Sequence, residues 1–257
     1  MSEPLVFSDT YGIREGKAED LEKVLHEIVD VLEANPTRHL YFAFFIDNYG
    51  TEYSNLQIHP DPESMVEHMQ LVATFIQKAV DLLDFTVGHE ELFGTPNDAL
   101  LKQLEQWGTV INRPAAGFTR LGQSGKSRSV SEPLVFLNSY TLAEGAADDY
   151  RTALAESSSG EAQHPGCLHD KVYLSEDGTR ATTVQVHTDV RSMESQMRSI
   201  SDRLGAVTHL IDADTMHVQL VGSPSAALTD GLREVLGPSV ALTVKTPSLG
   251  FSRLPTV

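Results

Sequence analysis

Residues 57–65 read QIHPDPESM, and residues 185–193 read QVHTDVRSM. The histidines of the two stretches, His59 and His187, lie 128 residues apart, which is close to half of the 257-residue chain. Because solenoid repeats have periods of about 20–50 residues, this spacing indicates a duplicated domain instead.

Other parts of the two halves repeat in the same way. Residues 2–7 and 131–136 both read SEPLVF, and HEELFGTP at residues 89–96 returns as HVQLVGSP at residues 217–224. The segment between the halves is rich in Ser, Gly and Lys, a composition typical of a flexible linker. We therefore predict two domains, residues 1–122 and 131–257, and a linker at residues 123–130.

Each half has the pattern of an α+β domain. Residues 17–34 place apolar side chains at spacings of three and four, as in an amphipathic helix, and residues 40–46, LYFAFFI, read as a buried strand. Asp61 and Asp189 each stand where a helix N-cap is expected. The predicted order in each half is β-α-β-β-α-β with an added helix and strand, which is the order of a ferredoxin-like domain.

A ferredoxin-like sheet carries helices on one face only, so its other face needs a cover. A second, similar sheet is the simplest cover, and a duplicated chain carries one. We therefore predict an α+β fold in which two ferredoxin-like repeats form an intramolecular dimeric α+β barrel, a pseudo-dimer within one chain. Whether two such chains form a further homodimer is left open.

The composition excludes several classes of partner. Nineteen basic and 36 acidic residues give a formal charge of −17, which repels nucleic acid and anionic membrane surfaces. The only cysteine is Cys167, so an intrachain disulfide is not expected. The sequence shows no basic, apolar leader and no apolar run of the roughly 18 residues that a membrane span needs. We expect a cytoplasmic protein that binds neither nucleic acid nor membrane.

Several short motifs carry a family resemblance. In the second half these are residues 165–168, PGCL, the hairpin signal Asp177-Gly178, and residues 185–193. In the first half, residues 64–68 read SMVEH and match a Ser-x-x-x-His helix start. With these motifs the chain resembles the dimeric α+β barrel superfamily, and within it a tandem pair of antibiotic biosynthesis monooxygenase-like domains.

The resemblance implies a function as well as a fold. That family includes cofactor-free oxygenases of aromatic polyketides, dioxygen-dependent quinone-forming enzymes and many members with no known activity. Such domains often carry a tryptophan on the strand before the second helix, whereas Gln57 and Gln185 stand near that place and the only tryptophan is Trp107. The second half also has Gln196 where the first has His68.

Two histidines recur in both halves: His59 with His187, and His89 with His217. Alternation along a strand places Gln57 and His59 on one face. In the expected strand order His89 lies two strands from His59, roughly 10 Å away, which suits two walls of one pocket but not shared metal ligation. These histidines could instead be packed structural residues, and a metal site is the least favoured interpretation.

Histidine, glutamine and aromatic side chains supply the candidate site residues. We predict His59, His89 and Tyr11 as catalytic residues of the first half. We interpret Glu90 and Glu91 as solvated surface residues, His68 as a packed or capping histidine and Cys167 as a buried thiol. The predicted substrate-binding residues are Gln57, Tyr41 and Phe44, with His187, His217, Gln185 and Tyr140 in the second half.

Three functions fit these observations. The first is a cofactor-independent monooxygenase that acts on a small aromatic or polyketide-like molecule, held in an apolar cavity while a His or Tyr takes its proton. The second is a non-catalytic small-ligand-binding or stress-response protein on the same barrel. A haem-related function is the third. We expect no cofactor and no metal.

Overall fold

The computed structural model describes residues 3–35, 37–121, 133–157, 165–237 and 240–254. The predicted linker at residues 123–130 lies outside them. The chain divides into two compact units. Unit 1 comprises Met1–Ile111 with Pro247–Arg253, and unit 2 comprises Asn112–Thr246 with Leu254–Val257.

The first half of the chain follows the predicted order of elements. Its strands and helices are β1 (Leu5–Ile13), α1 (Ala18–Ala34), β2 (Tyr41–Ile46), β3 (Glu52–His59), α2 (Pro62–Val80), β4 (Leu83–Phe93), α3 (Asp98–Trp107) and β5 (Val110–Thr119).

The second half repeats this order with one more strand. Its elements are β6 (Leu134–Leu142), α4 (Ala147–Ser157), β7 (Cys167–Ser175), β8 (Arg180–His187), α5 (Val190–Val207), β9 (Ile211–Val221), α6 (Ala226–Leu236), β10 (Ala241–Lys245) and β11 (Leu249–Ser252). A short 3₁₀ helix, Thr208–Leu210, follows α5.

Each unit contains the ferredoxin-like strand order. In unit 1 the order is β4-β1-β3-β2-β11, and every pair is antiparallel. In unit 2 it is β10-β9-β6-β8-β7-β5, in which only β10 runs parallel to its neighbour. The predicted α+β fold with two ferredoxin-like repeats is confirmed.

The units differ from the sequence repeats in their last strands. Residues 112–119 of β5 pair with β7 inside unit 2, although the sequence places them in the first repeat. Strand β11 pairs with β2 inside unit 1, although the sequence places it in the second. The domain boundaries at 1–122 and 131–257 therefore stay a prediction about the duplication, and the compact units do not coincide with them.

Local sequence signals explain where the helices begin and the hairpins turn. Asp61 accepts a hydrogen bond from the backbone amide of Ser64 (2.8 Å), and Asp189 does the same for Ser192 (2.8 Å), so both predicted N-caps are confirmed. Gly50 turns the hairpin between β2 and β3 with a φ of 66°, a conformation that favours glycine.

In unit 1 the helices pack on one face of the sheet. The core there joins Leu21, Leu25 and Leu32 of α1 to Phe42 and Phe44 of β2. Both faces of β3 are nevertheless buried between Tyr53 and His59. Among the described residues, no helix is both long and apolar enough to cross a membrane.

Candidate functional site

A cavity of about 120 Å³ lies inside unit 1, between the sheet and helices α1, α2 and α3. Its lining is mainly aliphatic and aromatic, as is usual for small-molecule sites. Aromatic rings come from β1, β2, β3, β4 and α3. The polar lining groups are few and fall on identifiable strands and helices: Asp9, Tyr11, Tyr53, Gln57, His68 and Glu90.

The first group of polar residues lies on β1 and β4. These strands pair with Asp9 opposite Glu90 and Tyr11 opposite Gly88, so the side chains of these positions share the cavity face. The hydroxyl of Tyr11 donates a hydrogen bond to Oε1 of Glu90. Thr109, just after α3, donates to the other carboxylate oxygen, Oε2, at 2.5 Å. These two hydrogen bonds fix the carboxylate of Glu90, and Tyr11 is its hydrogen-bond partner on the cavity side.

The pKa of Tyr11 is raised far above its ordinary value. Burial is the main cause, and the hydrogen bond to Glu90 and the charge of that carboxylate add to it. Tyr11 therefore keeps its proton at neutral pH. It can pass a proton toward Glu90 while taking another on its oxygen, but it is not itself a base.

The second group of polar residues lies on β3, where a chain of buried hydrogen bonds holds the side chains in place. Asn55 donates to the carbonyl of Ala43 (3.0 Å), and Gln57 Nε2 donates to Oδ1 of Asn55 (2.6 Å). Gln57 Oε1 then accepts from Nε2 of His59 (2.9 Å). Ser64 lies 3.1 Å from the remaining ring nitrogen, Nδ1, and donates to it. Both nitrogens of His59 are thus occupied, and the chain fixes the amide of Gln57 against the cavity.

A pair of histidines lies beside this chain. His39, which precedes β2, places its Nε2 at 2.9 Å from Nδ1 of His68 on α2. The rings of His39 and His59 have centroids 4.5 Å apart, and those of His59 and His68 are 5.7 Å apart. Among the described residues, Nε2 of His68 makes no hydrogen bond. It is therefore the ring nitrogen available to a ligand in the cavity that His68 lines.

All three histidines have depressed pKa values. Burial lowers the pKa of His39 from its ordinary 6.5 to about 4, and the charge of Arg253 contributes. Burial also holds the pKa values of His59 and His68 well below the usual range, with a smaller effect from His39. The three rings are therefore neutral at neutral pH, which is how three imidazoles can be packed together without repulsion.

Two exposed aromatic side chains mark the mouth of the cavity. Phe85 of β4 is 39% exposed and Trp107 at the end of α3 is 47% exposed, yet both line the cavity. The ring of Phe85 packs on that of Tyr11 with centroids 4.7 Å apart. A ligand that enters here would pass Phe85 and Trp107.

Unit 2 keeps one part of this arrangement. His187 contacts Oγ of Ser192 (3.0 Å) and Oε1 of Gln185 (3.3 Å), as His59 does with Ser64 and Gln57. Gln185 donates at its other end to the buried carboxylate of Asp170 (3.1 Å). Asp170 stands at the position of Phe42 in unit 1, which explains why this chain of hydrogen bonds ends differently.

The position of Tyr11 is used differently in unit 2. Tyr140 is its counterpart, and Val218 replaces Glu90. The hydroxyl of Tyr140 lies 2.7 Å from that of Tyr150 on α4, and both side chains are buried in the unit 2 core. Tyr140 therefore packs as a core residue.

The structure places several of the predicted site residues away from the cavity. His89 pairs with Thr10 of β1, so its exposed ring lies on the face opposite Tyr11 and the cavity, and His217 is exposed beside Thr243 (3.2 Å). Tyr41 is buried but pairs with Ile58, on the face away from Gln57. Successive side chains of a strand point to opposite faces of the sheet, so a one-residue offset in register moves a side chain to the other face.

The remaining predicted residues take these places. Tyr11, Gln57 and Phe44 line the cavity of unit 1. His59 is fully buried behind Gln57 and reaches the cavity only through it. His187, Gln185 and Tyr140 belong to the interior of unit 2.

Several residues of the site lie outside the predicted set, among them Glu90, His68 and His39. Glu91 is buried and Glu90 lines the cavity, so the interpretation of both as solvated surface is wrong. His68 is packed, as predicted, but also lines the cavity. The comparison of the two repeats does not single out His39, because the second repeat has Cys167 at the corresponding position. The Ser-x-x-x-His motif at residues 64–68 is the sequence feature that points to His68.

The histidine cluster is not arranged as a metal centre. Among the described residues, no group of three or more His, Cys, Asp or Glu side chains could hold a metal ion.

Comparisons with known proteins agree with the fold. No protein-family model matches the chain, and no curated protein does. A solved structure from Lactobacillus acidophilus, provisionally named a monooxygenase, has a TM-score of 0.53 at 10% identity and covers 84% of this chain and 92% of that chain. Another from Fusobacterium nucleatum, also provisionally named a monooxygenase, has a TM-score of 0.52 at 10% identity, with coverages of 82% and 88%.

A third structure, from Bacteroides thetaiotaomicron, is provisionally named an antibiotic biosynthesis monooxygenase. It has a TM-score of 0.31 at 15% identity and covers 35% of this chain and 85% of that one. At these identities the matches show the fold alone. The two matches with TM-scores above 0.5 have the fold that the family resemblance predicts.

Proposed function

We propose that unit 1 is a cofactor-independent oxygenase that acts on a small phenolic aromatic molecule in the cavity beside Tyr11. The observation that carries this proposal is a mainly apolar cavity in which the hydroxyl of Tyr11 is hydrogen-bonded to the carboxylate of Glu90. An apolar cavity holds an aromatic ring, and the Tyr–Glu pair offers a route for its hydroxyl proton.

The chemistry begins with the loss of that proton. The substrate hydroxyl donates to the oxygen of Tyr11, whose own proton is already directed at Glu90. Moving one proton along each hydrogen bond leaves a phenolate in the cavity and a protonated Glu90. A phenolate in an apolar, water-poor site is electron-rich and can give an electron to dioxygen.

The opposite group of side chains would orient the ring. Gln57 is fixed by His59 and Asn55, so its amide presents hydrogen-bonding groups at a constant place. Nε2 of His68 provides a second polar contact on α2. In this proposal Tyr11 contacts the reacting hydroxyl, Glu90 receives the proton through Tyr11, and His59 is a positioning residue.

The size of the cavity favours small substrates. An apolar cavity of about 150 Å³ in another protein holds one benzene ring. At about 120 Å³, the cavity of unit 1 is smaller than that, so as it stands it suits at most a single small ring. A polyketide-like substrate with several rings would need Trp107 and Phe85 to move outward.

Oxygen uptake tests the proposal, with phenols that range from p-cresol to anthrones and no added cofactor. Tyr11→Phe removes the hydroxyl that receives the substrate proton, so turnover should fall by about 10²-fold. Tyr140→Phe is the matched control in unit 2 and should leave turnover unchanged. Equal turnover in the wild type and Tyr11→Phe would overturn the assignment. Saturable binding without oxygen uptake by any phenol would favour the alternative, a non-catalytic small-ligand binder.

A further inference from the structure

His68 of α2 is held between other rings at the wall of the unit 1 cavity. Its side chain is buried, and its ring lies 4.8 Å from that of His39 and 5.5 Å from that of Phe42, measured between centroids. The ring of His59 is 5.7 Å away. A ring packed in this way does not turn freely, so its two nitrogens keep their places. What Nε2 presents to the cavity therefore depends on which nitrogen carries the proton.

The contact between His39 and His68 allows two proton arrangements. Both rings are neutral at neutral pH, because burial lowers their pKa values. A neutral imidazole has one N–H donor and one bare nitrogen that accepts. The 2.9 Å contact between Nε2 of His39 and Nδ1 of His68 uses one of each. If His39 donates, His68 carries its proton on Nε2 and presents a donor to the cavity. If His68 donates, its Nε2 is bare and presents an acceptor.

The remaining nitrogen of His39 distinguishes these arrangements. Nδ1 of His39 is fully enclosed and has no hydrogen-bond partner in the part of the chain that the structure describes. When His39 donates from Nε2, its Nδ1 is a bare nitrogen. When His39 accepts at Nε2, its Nδ1 is an N–H group with no acceptor. Because buried N–H groups without an acceptor are rarer in folded proteins than acceptors without a donor, the first arrangement is favoured.

We propose that His39 is a positioning residue that makes His68 a hydrogen-bond donor to the ligand, so that the cavity takes a small phenol with a second polar atom, an acceptor such as an ether or carbonyl oxygen. The hydroxyl of the phenol meets Tyr11, and the acceptor meets Nε2 of His68. The inference rests on the proposed function, because it names the substrate class of the same site. The second repeat has Cys167 in place of His39, so this selection is expected of unit 1 alone.

NMR spectra of the isotope-labelled histidine side chains test the tautomer directly, since they distinguish a protonated ring nitrogen from a bare one. In the full-length protein at neutral pH we expect His68 to carry its proton on Nε2. A proton on Nδ1 of His68 would overturn the proposal. In His39→Phe, which keeps a ring but removes both nitrogens, the His68 signals should move toward the average of the two tautomers. Unchanged His68 signals in that variant would overturn the positioning role of His39.

Ligand binding tests the acceptor with p-methoxyphenol and p-ethylphenol. The two molecules are nearly equal in size, so any outward movement of Phe85 and Trp107 costs them equally. Only p-methoxyphenol has an ether oxygen, which accepts hydrogen bonds and cannot donate them. Titration calorimetry without oxygen measures both affinities in the absence of turnover.

The ratio of the two affinities, methoxy over ethyl, isolates the hydrogen bond to His68. From the wild type to His68→Leu this ratio should fall by about three- to tenfold, because one hydrogen bond is lost from one complex only. His89→Leu, at an exposed histidine on the opposite face of the sheet, is the matched control and should leave the ratio unchanged. A ratio that His68→Leu does not lower would overturn the proposal, as would a wild type that binds neither phenol.

The outcomes also distinguish this inference from the proposed function. The expected tautomer and affinity ratio without oxygen uptake by any phenol would support the inference and remove the oxygenase. Oxygen uptake by phenols together with a bare Nε2 on His68 would keep the oxygenase and remove the inference. If His68→Leu does not fold, the spectra of the wild type decide the question.

Discussion

At the scale of single residues, the cluster of His39, His59 and His68 couples stability to pH. All three are neutral in the folded protein, because burial depresses their pKa values. Above pH 6.5, the ordinary pKa of a histidine, the three side chains are neutral in both the folded and the unfolded chain. As the pH falls below 6.5, the unfolded chain takes up protons that the folded chain refuses, so stability is lost until the pH reaches the folded pKa, about 4 for His39.

This predicts the behaviour of His68→Gln, which installs the residue that the second repeat carries as Gln196. Between about pH 7 and about pH 5 the variant should lose about 1–2 kcal/mol less unfolding free energy than the wild type. Urea unfolding at the two pH values measures it. His89→Gln, at an exposed histidine, is the control and should match the wild type. A His68→Gln variant with the wild-type loss would contradict the account.

The sequence indicates some residues of the site and leaves others hidden. Tyr11 and Gln57 are predicted because each stands on a strand whose alternation is readable. His39 stands before β2, where no periodicity assigns a face, and the repeat replaces it with Cys167. Its contact with His68 joins positions 29 residues apart and exists only once α2 packs over β2.

At the scale of elements, the register of β1 against β4 decides which residues form the site. Strand order and type follow from apolar periodicity, so the ferredoxin-like order is predictable. The pairing of Thr10 with His89 is not, because it depends on an irregularity between Tyr11 and Gly12. That single offset directs Glu90 toward the cavity and His89 away from it.

Gly88 makes this pairing possible. A Cβ atom at Gly88 would lie 2.2 Å from the carbonyl oxygen of Thr10 and 2.6 Å from the ring of Tyr11. Gly88→Ala should therefore separate the strands and cost about 1–3 kcal/mol of unfolding free energy in urea. Gly205→Ala, in α5 with no neighbour within 4 Å, should be stabilising by up to about 1 kcal/mol. Equal effects of the two substitutions would contradict this role for Gly88.

At the scale of the whole molecule, each compact unit includes the last strand of the other sequence repeat. Unit 1 includes β11, and unit 2 includes residues 112–119 of β5. Phe251 of β11 packs into the core of unit 1, with its ring 5.8 Å from that of Phe42. Phe118 of β5 is its repeat counterpart and lies opposite Asp170 in unit 2. The sequence predicts both segments as strands but gives no sign of which sheet each one joins.

Two matched variants test this arrangement. Phe251→Ala should lower the stability of unit 1 by about 1–3 kcal/mol, because a half-buried ring is removed from its core. Trp107 lies in unit 1, so its fluorescence during urea unfolding reports on that unit. Phe118→Ala should leave the Trp107 transition in place, although Phe118 and Trp107 share a sequence repeat. The reverse result would mean that the units follow the repeats.

The most direct measurement of the central claim is a crystal structure of the protein with p-cresol bound. We predict the ring inside unit 1 between Phe44 and Met65, with its hydroxyl within hydrogen-bonding distance of Tyr11 or Glu90. A ring bound elsewhere, or seated in unit 2 beside Tyr140, would contradict the account.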